Sequence, residues 1–395
     1  MASIRKRTWR NKDGAQTAWV ADYFDQSGKR HIKTFKTKKE ADAWLVNARG
    51  EVQRGMHTPE STSITVAEAA ELWVETSELE RLERSTLRQY RNHVDLHIKP
   101  SRIGTEKLAR LSTPAIEAFR DDLLRKSSRP MARKVLTSLK SILSEAQRRG
   151  LSAYNPATPV KVDAKKREKP KLVVGRDIPS KEEIQTILSK ATGRWRPFFI
   201  TAVFTGMRAS ELRGLTWDDV DFERKVAHVR QRANLWGEIG APKSAAGERE
   251  IPMSPMVVNV LKEWRLVCPR AAQSEDVEPQ LYLVFPNGNG RVESHANIAN
   301  RGFYALQLKA AMVVPDAEER DEDGNPVMKA KYGLHALRHF FASWAIERGF
   351  SPKRLQALLG HSSIQMTFDV YGHLFPSLED DHAKFAAGEL AIVGG

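Results

Sequence analysis

Polar and apolar positions change period three times along this chain. In the first 57 residues, Trp19-Val-Ala-Asp-Tyr23-Phe and His31-Ile-Lys-Thr-Phe35 flank the turn signal Asp25-Gln-Ser-Gly28, which predicts a small β-rich module. Thr37-Lys-Lys-Glu40 has the spacing at which a hydroxyl and a carboxylate cap one helix start reciprocally. Ala41, Trp44, Leu45 and Ala48 then recur at helical intervals and would close the apolar face of the sheet. A second box, Thr65-Val-Ala-Glu68, opens an α-rich domain over residues 64–160, with helices predicted near 66–76, 85–98, 113–126 and 130–149. Residues 161–176 carry many charges, little periodic apolar signal, Pro170 and Gly175, and read as a basic linker.

A third box, Ser180-Lys-Glu-Glu183, opens a domain over residues 177–395. Its pattern starts helical, passes through strands near 225–232 and 249–252 and returns to helices, so the expected fold is multidomain α+β rather than a series of alternating βα units. Asn287-Gly-Asn-Gly290 reads as a hairpin turn. The acidic stretch from Asp316 to Asp323 reads as a solvated insertion, since its carboxylates lack the ordered spacing of a calcium loop.

Charge changes this picture by suggesting a partner. Lys and Arg number 63 against 49 Asp and Glu, a net +14, which favours a polyanion. Residues 1–60 alone hold 13 basic and 7 acidic side chains, so this small segment carries much of the excess. On the second predicted helix of the α-rich domain, Arg88, Tyr90 and Arg91 are interleaved, either facing a DNA backbone or forming a solvated face with Tyr90 turned inward. Lys165, Lys166 and Arg167 in the linker are further candidates for contact with phosphate. Cys268 is the single cysteine, which excludes an internal disulfide framework and a thiolate metal cluster. No apolar run is long enough for a membrane span, and the start of the chain lacks the apolar segment of a signal peptide, so a cytoplasmic protein is expected.

The candidate chemistry lies in the third domain. Thr205-Gly-Met-Arg208-Ala-Ser-Glu211 places an arginine at the start of a short helix. His335-Ala-Leu-Arg338-His, Leu359-Gly-His361 and Tyr371-Gly-His373 supply a second arginine, imidazoles and a phenol. A phenol is a weak nucleophile until positive charge or a base eases loss of its proton. Guanidinium groups stay ionised and fork around phosphate oxygens, so Arg208 and Arg338 suit a charged phosphoryl transition state. Lys243, in a turn between two predicted strands, would offer an ammonium as proton donor to a departing oxygen. His335 and His339 have the i, i+4 spacing of a zinc helix, but Ala336 replaces the glutamate that motif requires and Arg338 would repel the cation.

In order, Arg208 with Glu211, Lys243, His335-x-x-Arg338, Leu359-Gly-His361 and Tyr371-x-His373 resemble the signature of the tyrosine recombinases, specifically the phage-type integrases. The resemblance implies that Tyr371 is the nucleophile of a site-specific DNA recombinase, forming a 3′-phosphotyrosine link. It implies that Arg208, Arg338 and His335 hold the scissile phosphate, with His335 also helping proton transfer, that Lys243 is the general acid, His361 a hydrogen-bond donor to the phosphate and Glu211 a support, with neither metal nor cofactor required. Residues 1–57 would bind arm-type DNA sites and residues 64–160 core sites. The resemblance further implies a homotetramer on double-stranded DNA in the bacterial cytoplasm, aided by a host DNA-bending protein and an excision directionality factor. Lys225 competes with Lys243 for the acid's place, and the C-terminal segment from Ala383 could dock on a neighbouring protomer or cap its own domain. A type IB topoisomerase and a non-catalytic DNA-binding regulator are the rival readings.

Overall fold

The computed structural model describes residues 2–11, 14–25, 28–55, 57, 59, 60, 63–163, 171–270, 282–375, 385, 388, 389, 391 and 392. The chain divides into two compact units, residues 1–166 and 167–395. The linker candidates Lys165, Lys166 and Arg167, and nearly all of the segment after Ala383, lie outside the described residues.

In the first unit, Ser3–Asn11, Gly14–Phe24 and Arg30–Phe35 form an antiparallel sheet with Gly14–Phe24 at its centre. Ser3–Asn11 has few apolar residues to mark it. It is an edge strand whose Arg5, Lys6, Arg7 and Arg10 are all exposed. The helix Lys38–Gln53 begins in the predicted capping box, with the Thr37 hydroxyl accepting from the Glu40 amide at 3.2 Å. Its Ala41, Leu45 and Ala48 are buried, and Trp44 meets Tyr23 edge to face at 5.0 Å.

The helices Val66–Leu79, Arg84–His93, Thr113–Lys126 and Arg129–Arg148 surround a separate core that includes Val74, Ile98, Ile116, Leu139 and Ile142. At about 1.5–3 kcal/mol for each large apolar side chain buried, this core outweighs the sheet's small cluster of Ala21, Tyr23 and Leu45. The helix expected over 85–98 changes to π geometry at Val94–Ile98. Tyr90 is turned inward against Trp73, with ring centroids 4.3 Å apart. On the same helix Arg88 is exposed, whereas Arg91 pairs with Glu78 at 2.5 Å.

The second unit begins with the helix Lys181–Lys190, capped by Ser180 and Glu183 as the sequence predicts. The helix Trp195–Thr205 follows, then Ala209–Gly214 and an antiparallel sheet in the order Val220–Asp221, Val226–Val229, Arg249–Pro252. Pro255–Val267 packs on Trp195–Thr205, and the unit's last described long elements are Ala336–Glu347, Pro352–Leu359 and Ile364–Tyr371. The Asn287 turn forms as expected, closed by Asn287 and Arg291.

Residues 317–323 are exposed, as expected of a solvated insertion, but the stretch is not all loop. Val313–Arg320 is a strand paired with Pro326–Ala330, and only the segment from Asp321 to Asn325 turns. One of its acidic residues is compensated across the hairpin, where Asp316 pairs with Lys329 at 2.8 Å. Among the described residues no helix is long and apolar enough to cross a membrane.

Candidate active site

Two glycines let the site close. Gly206 ends the helix Trp195–Thr205 in the left-handed conformation, φ +62°, and a Cβ there would lie 2.3 Å from the Phe341 ring. Gly360 ends Pro352–Leu359 in the same way, also at φ +62°, with the Ala246 carbonyl 2.9 Å from where a Cβ would sit. Both free carbonyls then serve arginines. The Gly206 oxygen accepts from Arg338 Nη1 at 2.7 Å, and the Gly360 oxygen from Arg208 Nη2 at 3.1 Å.

Arg208 stands at the N-cap of Ala209–Gly214. Its Nη1 donates to Glu211 Oε1 at 2.7 Å, and its amide to Glu211 Oε2 at 2.8 Å. Glu211 is buried and also binds Arg249, which donates through Nη1 at 3.1 Å and Nη2 at 2.8 Å. Burial opposes ionisation of this carboxyl, but Arg249 and Arg208 outweigh it and hold the pKa below the ordinary range. Arg249 Nε in turn reaches the Leu358 carbonyl at 2.7 Å, tying the sheet to the helix Pro352–Leu359.

Arg338 is 3% exposed and is held by the carbonyls of Gly206 and Leu359. Burial, reinforced by the Arg208 charge, pushes its pKa down to about 9, which still leaves it a cation at neutral pH. His335 begins the helix Ala336–Glu347 and is exposed, yet desolvation and the neighbouring His339, Arg338 and Arg208 push its pKa down to about 4. His361 is buried, shares a 2.9 Å hydrogen bond between its Nδ1 and Thr367 Oγ1, and is likewise depressed to about 4, first by burial and then by the three arginines. Both imidazoles are neutral near pH 7 and can donate an N–H without adding charge.

Tyr371 closes the cluster. It is 1% exposed, its ring lies parallel to that of His361, and its hydroxyl is hydrogen-bonded to His339 Nδ1 at 2.8 Å. Burial pushes the phenol up to about 12, against the pull of Arg338 and Arg208. Tyr332, the other tyrosine closest in sequence to the His335 motif, lies in a different setting. It is buried, and its hydroxyl donates to Glu183 at 2.6 Å in the capping box of Lys181–Lys190.

Arg208, Glu211, His335, Arg338, His361 and Tyr371 are thus gathered by the ends of four helices. Lys243 is exposed in the segment between Ile239–Gly240 and Arg249–Pro252, whose far end supplies Arg249. Lys225 occupies a left-handed turn at φ +55°, and its carbonyl accepts from Met253. Arg249, Thr367 and the role of His339 escape the sequence reading. Arg249 is one basic residue among many, and His339 stood out only as an i, i+4 neighbour of His335. The rings of His335 and His339 meet edge to face at 4.8 Å, with His339 Nδ1 turned to the phenol.

The family profile described as Phage integrase family matches residues 180–377, the stretch that holds all of these groups. A XerC-like tyrosine recombinase of Caldanaerobacter subterraneus subsp. tengcongensis is 28% identical over 377 residues, 89% of this chain and 90% of its own. In structure, the Tn1549 transposon integrase solved with a circular intermediate DNA aligns over 82% of this chain and 99% of its own, with TM-score 0.64 and 20% identity. Lambda integrase, in a tetramer bound to a Holliday junction, aligns over 90% and 95%, with TM-score 0.56 and 17% identity, so it too shares the fold. The chain belongs to the phage integrase family and is a site-specific tyrosine recombinase of the phage or transposon type, an enzyme of DNA strand cleavage and rejoining.

Proposed function

We propose that Tyr371 attacks the scissile DNA phosphate, forming a 3′-phosphotyrosine link and releasing a 5′ hydroxyl, and that the partner strand's 5′ hydroxyl reverses the attack. The carrying observation is the burial of one phenol among Arg208, Arg338, His335 and His361. Arg208 and His335 are the members that solvent reaches. A phosphate approaches over these two to meet the Tyr371 hydroxyl. The guanidinium groups neutralise the charge of the transition state, and neutral imidazoles donate to its oxygens. Lys243 protonates the departing 5′ oxygen, and Glu211 keeps Arg208 in place. The link conserves the phosphodiester's free energy, so rejoining needs no nucleotide hydrolysis.

Residues 64–160 bind the core site, with Arg88 and Arg91 on phosphate, and Lys165, Lys166 and Arg167 in the linker add to the affinity. The edge strand with Arg5, Lys6, Arg7 and Arg10 supports the reading of residues 1–57 as an arm-site module. By analogy with the lambda integrase tetramer on its junction, the active assembly is a homotetramer on DNA. A host DNA-bending protein and an excision directionality factor in the bacterial cytoplasm complete the proposed partners.

A DNA duplex nicked beside the cleavage position tests this reading, because loss of the short fragment traps the covalent intermediate. Wild-type protein should give an adduct that Tyr371→Phe lacks while binding the same DNA. Adducts persisting in Tyr371→Phe would move the nucleophile elsewhere.

A further inference from the structure

We propose that His339 is a further catalytic residue, the group that takes the phenolic proton of Tyr371 as the nucleophile attacks. This inference rests on the assignment of Tyr371 as nucleophile. Among the described residues His339 is the hydrogen-bond partner of the Tyr371 hydroxyl, 2.8 Å from Nδ1 to Oη. A phenol pushed up to about 12 is a poor nucleophile, and only about one molecule in 10^5 would be ionised at pH 7. An acceptor already within hydrogen-bond distance removes that barrier at the moment of attack.

The other imidazoles are less well placed. His361 Nδ1 is engaged by Thr367, and His335 sits exposed at the start of the helix beside the arginines. Four charged or titratable groups surround His339: Arg338 before it, His335 one turn earlier, Tyr371 and Asp177. Burial and Arg338 keep His339 unprotonated at rest, whereas the Asp177 charge favours the imidazolium that proton transfer creates. His339 is therefore a neutral base with a counter-charge ready for its conjugate acid.

In the step, the Tyr371 hydroxyl donates to Nδ1 of an imidazole whose Nε2 bears its proton. The phenolic oxygen forms its bond to phosphorus as the proton passes to Nδ1. The bond from phosphorus to the 5′ oxygen breaks, and that oxygen keeps the electron pair and takes a proton from Lys243. Rejoining runs in reverse: the 5′ hydroxyl attacks and gives its proton to Lys243, and the departing phenolate recovers its own from His339.

The test is the rate of adduct formation on the nicked duplex across pH 6 to 10, in wild type, His339→Asn, His339→Gln and Lys243→Ala. A second duplex carries sulfur in place of the bridging 5′ oxygen, so that its leaving group needs no proton. Asn offers an oxygen near the Nδ1 position and preserves the hydrogen bond without taking up a proton; His339→Gln covers the case in which Asn fails to fold. We expect both His339 variants to bind DNA normally and to react about 10^2- to 10^4-fold more slowly at pH 7. Their rates should climb about tenfold per pH unit as solvent base takes over, and sulfur should rescue Lys243→Ala but not them. Wild-type or faster rates, a slow rate flat in pH, or rescue by sulfur would each overturn the role of His339. An adduct in Tyr371→Phe would instead overturn the nucleophile assignment on which the inference stands.

Discussion

The carboxylate of Glu211 lies edge to edge with the guanidinium of Arg249, Oε1 to Nη1 at 3.1 Å and Oε2 to Nη2 at 2.8 Å, with both side chains nearly excluded from solvent. The same carboxylate receives Arg208. One anion thus offsets two cations, and Glu211→Ala leaves Arg249 buried without a counter-charge. Breaking one side of such a pair costs about 3–5 kcal/mol, which should appear as a large loss in denaturant midpoint with loss of cleavage. A shift below about 1 kcal/mol would mean that Arg249 finds another partner.

This pairing also carries a pH signature. The folded pKa of Glu211 lies below its ordinary value of 4.5, so its contribution is fully present above that value and is lost as pH falls through the depressed one. His335 and His361 act in the same direction at higher pH. Their folded values are about 4 against an ordinary 6.5, so below pH 6.5 the unfolded chain takes up protons that the folded chain refuses. Stability measured by denaturation should decline from pH 6.5 towards 4. His361→Asn, whose amide can still bond the Thr367 hydroxyl, should flatten that slope, and an unchanged slope would contradict the assignment.

Gly206→Ala should be costly for two reasons at one atom. The left-handed backbone disfavours any side chain, and the new methyl would lie 2.3 Å from the Phe341 ring. Together these predict a loss of roughly 2–4 kcal/mol. Because the Gly206 carbonyl also holds Arg338, cleavage should fall more than DNA binding does. Thermal melting and adduct formation on the same preparation check both parts.

Arg338→Lys tests geometry at constant charge. A guanidinium spans the carbonyls of Gly206 and Leu359, whereas an ammonium on a shorter stem cannot reproduce that fork. Adduct formation should drop about 10^2- to 10^3-fold, the scale for loss of one preorganised donor to a developing oxyanion. DNA affinity measured by titration should change little. Equal losses in both would mean that Arg338 serves binding alone.

The boxes at Thr37, Thr65 and Ser180 were legible because their hydrogen-bond partners lie three residues apart, within reach of any chain that turns helical there. The helix Thr113–Lys126 follows its predicted span because apolar periodicity is also a local property. The order of Arg208, Glu211, His335, Arg338, His361 and Tyr371 likewise stood in the primary structure as a motif, although nothing local says that these residues meet. Their meeting was decided by packing. Glu211 reaches Arg249 across 38 residues, Tyr371 reaches His339 across 32, and Arg338 reaches the Gly206 carbonyl across 132. The hairpin Val313–Ala330 belongs with these, since Asp316 and Lys329 compensate each other only once two strands have chosen a register. Sequence determined the helix starts, the apolar faces and the inventory of reactive groups, because those depend on neighbours a few bonds away. Tertiary structure alone decided which cation each carboxylate holds and which imidazole faces the phenol, because desolvation and hydrogen-bond geometry exist only after distant segments have excluded water between them.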